Sequence, residues 1–271
     1  MKVCFSSFTC PKWSVSQIIN SAHGFGYHGV DLRCDAGHHH GVEIHASLEQ
    51  REEINQAFHN RGIEAVCLST SVQLAHRHAE EILMGRIDLA ASTGFKAVRV
   101  LCGRNEDDHS LVDTIEMAVP RLQKAAEYAH QNDVRLWIET HDAIARAADA
   151  ASFARQAEHE SVGLLYNTLH PYRMGESVAD TFEALGSMIE HVRFIDGEKD
   201  PDKVVVTPIG RGQLPLDEIF IALLRTGYDG YLCGEWFYDQ YGHSADESLT
   251  RYHSELTAFT LRHGVRLEQS M

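Results

Sequence analysis

Glu139 closes the apolar run Leu136-Trp137-Ile138, and Glu235 follows Tyr231-Leu232-Cys233-Gly234. A carboxyl at the end of such a run is desolvated, and desolvation raises its pKa unless cations or hydrogen-bond donors compensate. Paired carboxyls tuned in this way can take a proton from one carbon and return it, which is general acid–base chemistry near neutral pH. The plainer reading is a solvated pair at a rim. Further polar residues end similar runs: Arg33, Ser69, Asn167 and Asp196, with His141 and His170 just beyond two of them. Arg193 lies inside HVRFID at a parity that can point inward.

The elements that must position these residues alternate along the chain. Short apolar runs rich in β-branched and aromatic residues occupy 3–5, 29–33, 63–69, 97–102, 134–139, 162–167, 191–196 and 230–235, as buried parallel strands do. Helical periodicity fills 14–24, 47–60, 76–93, 111–131, 143–157, 178–188, 216–226 and 246–262. Ser14 caps the first helix, and Ser47 with Gln50 forms a capping box at the second. In 76–93, Ile82, Ile87, Leu89 and Ala90 are expected on one face. GFGYHGV, NRGIEAV, STGFKAV and RTGYDGY each end a helix on Gly and lead into a strand. Eight alternations in 271 residues predict one α/β domain over 1–271, a (β/α)8 TIM barrel. In that fold the C-terminal strand ends carry the chemistry, and those ends are where the polar residues stand. There is no GxGxxG after the first strand and no P-loop, which removes support for nucleotide binding.

Composition narrows the partners. With 39 acids against 24 bases the chain carries a net charge of −15 and no Lys/Arg cluster, so a nucleic acid would be repelled. The six Cys form no CxxC pair and mostly sit in or beside apolar runs, as small buried hydrophobes do in a reducing compartment. The N-terminus is too short in apolar length for a signal peptide, and no stretch approaches a membrane span. The expectation is a cytoplasmic protein acting on a small molecule.

The motifs GFGYHGVDLR, WIETHD, YNTLHP, HVRFIDG, PIGRGQLPL and GYDGYLCGEW, in this order over nearly the whole chain, resemble the xylose-isomerase-like TIM barrel superfamily. Within it the chain looks like the sugar isomerases and epimerases that include ketose 3-epimerases, hydroxypyruvate isomerase and inosose dehydratase; endonuclease IV is a more distant cousin. The resemblance implies one divalent metal (Mn, Mg or Zn) held by Glu, Asp, His and Glu. It also implies that the two glutamates act as acid and base on opposite faces of the substrate. These map onto Glu139 and Glu235, with His170 binding substrate. Homo-oligomers are common among the resembled enzymes.

Two of the four implied ligands differ. Asn167 stands where the resemblance implies Asp, and Arg193 where it implies His. Asn167 still offers a neutral oxygen, which leaves a degenerate metal site of Glu139, Asn167 and Glu235. Arg193 stays protonated and cannot ligate, and His191 lies too deep to replace it. Three carboxylates with a dication and two carboxylates with a guanidinium both leave one net negative charge. The sequence therefore also supports a metal-free site in which Arg193 takes the place of the cation.

The resulting expectation is a sugar or sugar-acid isomerase or epimerase. A dehydratase or lyase would use similar groups, and a metabolite-binding barrel without catalysis is the alternative kept open by Asn167 and Arg193. A phosphodiesterase would need several metal ions and more His and Asp ligands than these motifs offer. Around the site, Arg211 in Ile209-Gly210-Arg211-Gly212 reads as reaching a substrate phosphate or carboxylate or as a solvated loop residue, Trp13 as stacking on a sugar face or as rim packing, and His141 as touching substrate or ordering its loop. Trp236 is expected near the mouth, and Tyr228 and Tyr231 in the core. Asp196 is expected as a supporting partner or helix cap. The tract Gly37-His38-His39-His40 with His45 reads as a solvated loop more readily than as a metal-binding one.

Overall fold

The computed structural model describes residues 1–104, 110–200 and 202–268. Barrel strands are β1 (Lys2–Ser6), β2 (Gly29–Arg33), β3 (Glu64–Gln73), β4 (Ala97–Leu101), β5 (Arg135–Glu139), β6 (Val162–Asn167), β7 (Ile189–Arg193) and β10 (Tyr231–Gly234). They pair in parallel in chain order, and β10 closes between β7 and β1. A separate antiparallel ribbon pairs β8 (Asp196–Gly197) with β9 (Val206–Thr207).

Helices α1 (Val15–Gly24), α2 (Leu48–Arg61), α3 (Ala79–Thr93), α4 (Leu111–Gln131), α5 (Ala147–Arg155), α6 (Leu169–Arg173), α7 (Val178–Leu185), α8 (Leu216–Arg225), α9 (Tyr238–Tyr241) and α10 (Ala245–Arg262) connect the strands. Local chemistry sets their ends. Ser14 with Gln17 and Ser47 with Gln50 form full capping boxes, each satisfying two otherwise orphaned donors. Gly62 and Gly94 end α2 and α3 in the left-handed conformation, where a Cβ would be strained.

Two expectations are corrected. Ile82 is 45 % exposed. Because α3 starts at Ala79, the 3.6-residue period puts Leu83, Ile87 and Ala90 on the core face. The seventh strand ends at Arg193, three residues before the expected end at Asp196. Asp196 instead accepts the backbone N–H groups of Gly197, Gly210, Gly212 and Leu214. Its carboxylate thus folds the PIGRGQLPL segment back over the ribbon, and Asp196 is neither a strand end nor a helix cap.

The main core lies between the strands and the helices. A second cluster fills the barrel interior with Cys4, Val66, Cys67, Ala97, Trp137, Leu165 and Cys233. All six cysteines are buried and free. Tyr228 and Tyr231 are only half-buried: Tyr231 packs against the interior cluster, and the Tyr228 hydroxyl donates to its carbonyl. Among the described residues no helix is long and apolar enough to cross a membrane.

Candidate active site

Arg193, at the C-terminal end of β7, is 2 % exposed and lies at the centre of the site. Parallel registry puts it beside Asn167 on β6 and Cys233 on β10. Its Nη1 donates to both oxygens of Glu139, at 2.9 and 3.0 Å, and stands 2.8 Å from Glu235 Oε1. Its Nη2 donates to Ser69 Oγ at 2.9 Å and lies 3.4 Å from Asp31 Oδ2. Ser69 Oγ in turn donates to Asp31 Oδ1. Arg99, from the middle of β4, puts Nη1 3.2 Å from Glu139 Oε2, and Asn167 Nδ2 donates to Glu139 Oε1 at 3.0 Å.

Asp31 and Arg99 were not anticipated as site residues. Asp31 shares the otherwise apolar run GVDLR with Arg33, and Arg99 is the one charged residue of AVRVLC. That is a signal in itself, because a buried charge requires a partner. With them included, three carboxylates face two guanidiniums. Arg33 at the cavity wall adds a third guanidinium, so the charge count differs from the one expected from the sequence.

The two glutamates differ. Glu139 is fully buried. Burial pushes its carboxyl up, but Arg193 and Arg99 outweigh this and hold it well below the usual range. Glu235 has its side chain 16 % exposed. Burial raises its pKa and Arg193 offsets only part of that, while the nearby Glu139 charge adds to the rise. No N–H is aimed at Glu235 Oε1, so its contact with Arg193 is ionic without being a hydrogen bond.

A cavity of about 290 Å³ opens above this layer. Glu235, Arg193, Asn167, His141 and His170 line it, together with Arg33, Arg99, Phe8, Trp236 and Phe237. Glu139 is not among the lining residues; it lies behind the guanidiniums. His170 and His141 meet edge to face at 4.5 Å. Burial first, then His141, pushes His170 down to about 3, so it is neutral near pH 7. Trp236 is buried against Tyr252 and Tyr241 and shows one face to the cavity.

Trp13 and Arg211, expected at substrate, do not line this cavity. Trp13 packs against the main core. Arg211 is exposed on the loop that Asp196 folds away. In the His tract, His40 is buried and ties the Arg33 carbonyl to the Val42 N–H. His38 bonds Ser7 Oγ, while His39 and His45 are exposed. The tract braces a loop. A larger cavity of about 730 Å³ lies beside α3 and α4. Its buried cations already have partners: Arg86 pairs with Asp35, and Arg121 donates to the carbonyls of Leu74, Ala75 and Met117.

The donor set does not fit a divalent ion shared by Glu139 and Glu235. The guanidinium of Arg193 already contacts both carboxylates, and the Asn167 amide is engaged by Glu139 on one side and the Leu169 N–H on the other. Of the imidazoles nearby, His141 and His170 line the cavity wall against each other, and His191 is fully buried below this layer, stacked on Trp137 at 4.7 Å.

A family model for the xylose isomerase-like TIM barrel matches residues 19–258. No curated protein sequence matches the chain. Among solved structures, the IolI protein with a bound zinc atom shares 18 % identity, covering 97 % of this chain and 99 % of that one, with a TM-score of 0.84. The probable 3-DHS dehydratase AsbF of Bacillus anthracis, involved in petrobactin synthesis, shares 20 % identity over 95 % and 99 %, with a TM-score of 0.76. A D-psicose 3-epimerase in the presence of D-fructose shares 15 % over 96 % and 98 %, at 0.77. At such identities the likeness is one of fold. With its closed parallel barrel, and a family match running from the first helix into the last, the chain belongs to the xylose isomerase-like TIM barrels.

Proposed function

We propose that this barrel, residues 1–271 acting as one unit, is an isomerase that moves a proton between neighbouring carbons of a small hydroxy-carbonyl compound. Glu235 is the proton carrier. The observation that carries this reading is that Glu235 is the one carboxylate among the described residues lining the cavity, with a raised pKa and an oxygen that accepts no hydrogen bond.

Ionised Glu235 takes the proton from the carbon beside the carbonyl. The C–H electron pair becomes the C=C bond, and negative charge develops on the carbonyl oxygen. The guanidinium of Arg193, fixed by Glu139 and Ser69, supplies the positive charge for that oxygen, as preorganised cations do at developing enolates. Arg193 thus does the work the resemblance assigns to a metal. Returning the proton from Glu235 to the adjacent carbon on the same face, with the hydroxyl proton passing to the other oxygen, completes a ketose–aldose exchange.

This revises the role expected for Glu139. Inverting one carbon requires an acid on the opposite face, and both Glu139 oxygens are engaged by Arg193, with Arg99 and Asn167 beside them. Glu139 is assigned here to holding Arg193 and Arg99 in place, and the one-sided arrangement favours isomerisation over epimerisation.

The test is proton exchange in D2O with D-fructose, D-tagatose and hydroxypyruvate, read by NMR before and after chelation. Deuterium should enter at the carbon next to the carbonyl, chelation should not slow it, and Glu235→Gln should lower the rate by about 10²–10⁴. The rate should rise with pH through an inflection above 4.5, the ordinary carboxyl value, because the base form is required. Formation of a C3 epimer that depends equally on Glu139 would sink the one-carboxylate mechanism. Liberation of water in place of an isomer would point to a lyase, and absence of exchange in every compound would point to a binding barrel.

A further inference from the structure

Three guanidiniums and one carboxylate line the cavity: Arg33, Arg99 and Arg193 against Glu235. Arg99 and Arg193 have counter-charges in the layer below, Glu139 and Asp31. Arg33, at the end of β2, pairs with no acidic side chain among the described residues. Its Nη1 donates to the carbonyls of Ser69 (3.1 Å) and Cys34 (3.4 Å), and its Nη2 donates to the Ser71 hydroxyl. These neutral acceptors hold the guanidinium in place without cancelling its charge. Its Nε has no partner, and the Phe8 ring lies 5.6 Å from the guanidinium.

Burial, with Arg99 and Arg193 nearby, pushes Arg33 down to about 10, so it remains charged at neutral pH in surroundings that disfavour a cation. In a chain with 39 acids, a partly buried arginine at a cavity wall with no acidic side chain paired to it among the described residues has its charge free to face a ligand. A planar, fixed guanidinium matches a carboxylate. A neutral sugar bound here would bury the charge further with only the more distant Glu235 and Glu139 to offset it, which is unfavourable.

We propose that Arg33 binds a carboxylate of the substrate, so that the substrate is an acidic sugar derivative carrying a carboxylate at the end remote from its carbonyl. The carbonyl end lies at Arg193 and Glu235, and the carboxylate end reaches the rim at Arg33, beside the Phe8 ring that lies 5.6 Å from the guanidinium. This rests on the cavity being the substrate site. It does not depend on which carbon Glu235 deprotonates.

The test is calorimetric binding of matched pairs that differ only at the terminal carbon, D-fructuronate against D-fructose and D-tagaturonate against D-tagatose. It is run with the whole protein and again with Glu235→Gln, in which turnover is blocked. The acids should bind at least about tenfold more tightly than their neutral partners, with a preference that shrinks as salt rises. Arg33→Met should collapse that ratio and Arg33→Lys should keep part of it. The salt series on the unaltered protein tests the same point if Arg33→Met does not fold. Equal affinity within each pair, including no binding by either member, overturns the proposal. Tighter binding of D-fructose 6-phosphate than of D-fructuronate also overturns it, in favour of a phosphate. A preserved acid preference without deuterium exchange would remove the isomerase reading and leave the carboxylate site standing; exchange without that preference would do the reverse.

Discussion

Two sides of one barrel rim treat their charges in opposite ways. On the side of β4, β5 and β7, Arg99, Glu139 and Arg193 are all under 5 % exposed and paired with one another. On the side of β2 and β10, Arg33 has no acidic partner among the described residues and Glu235 has an oxygen that accepts no hydrogen bond; both face the cavity, which Arg99 and Arg193 also reach from their cluster. The first side is a dry ion cluster, in which each charge is tolerated because its partner is in contact. The second keeps charge available, and availability is what chemistry and recognition require. The two glutamates, alike in sequence context, are separated by this difference.

The largest effect expected from breaking this contrast comes from Arg193→Met. It leaves Glu139 buried without the cation that compensates it most, and the loss should be about 3–5 kcal/mol in chemical denaturation. Adding Glu139→Gln should recover part of that, a coupling of about 0.5–3 kcal/mol; strict additivity would mean that the pair does not act as a unit.

Next comes pH. Burial holds His191 down to about 4 and His170 down to about 3, against 6.5 for a free imidazole. Both rings stay neutral in the fold and bind protons once unfolded. Their contribution is therefore complete above pH 6.5 and is lost as pH falls towards about 4, on the order of 3 kcal/mol for His191. His191→Phe keeps the stack on Trp137 and should flatten the stability profile across that window. An unchanged profile would place the acid sensitivity elsewhere.

A smaller effect sharpens the comparison between the glutamates. Glu235→Gln should change stability by less than about 1 kcal/mol while proton transfer is lost, whereas Glu139→Gln should cost more, because two buried guanidiniums lose a charged partner. Equal stability costs would mean that both glutamates belong to the dry cluster. The smallest expected effect is at Arg211, exposed on its loop: Arg211→Ala should leave stability within about 0.5 kcal/mol and leave uronate affinity unchanged in calorimetry.

Much of this was legible in the chain. Strand periodicity, the Ser14 and Ser47 caps and the glycine helix exits are local signals, and the elements they mark agree with the structure to within a few residues. The seventh strand was read too long because Asp196 follows a run of apolar residues, and all but one of its backbone partners lie 14 to 18 residues further on. Trp13 and Arg211 were placed at the site from their nearness to loops alone, and nearness in a loop says little about direction.

By itself the sequence determined the alternation of strands and helices and most of the residues that end the strands. Those follow from patterns read over a few neighbouring residues. Tertiary structure alone decided that Asp31 and Arg193, 162 residues apart, share one ion cluster, that Glu139 lies behind it while Glu235 faces the cavity, and that Arg33 is left without an acid among the described residues. The physical reason is closure of the barrel. Which charges meet depends on strand registry around the whole circle, and that registry is set only when β10 pairs with β1.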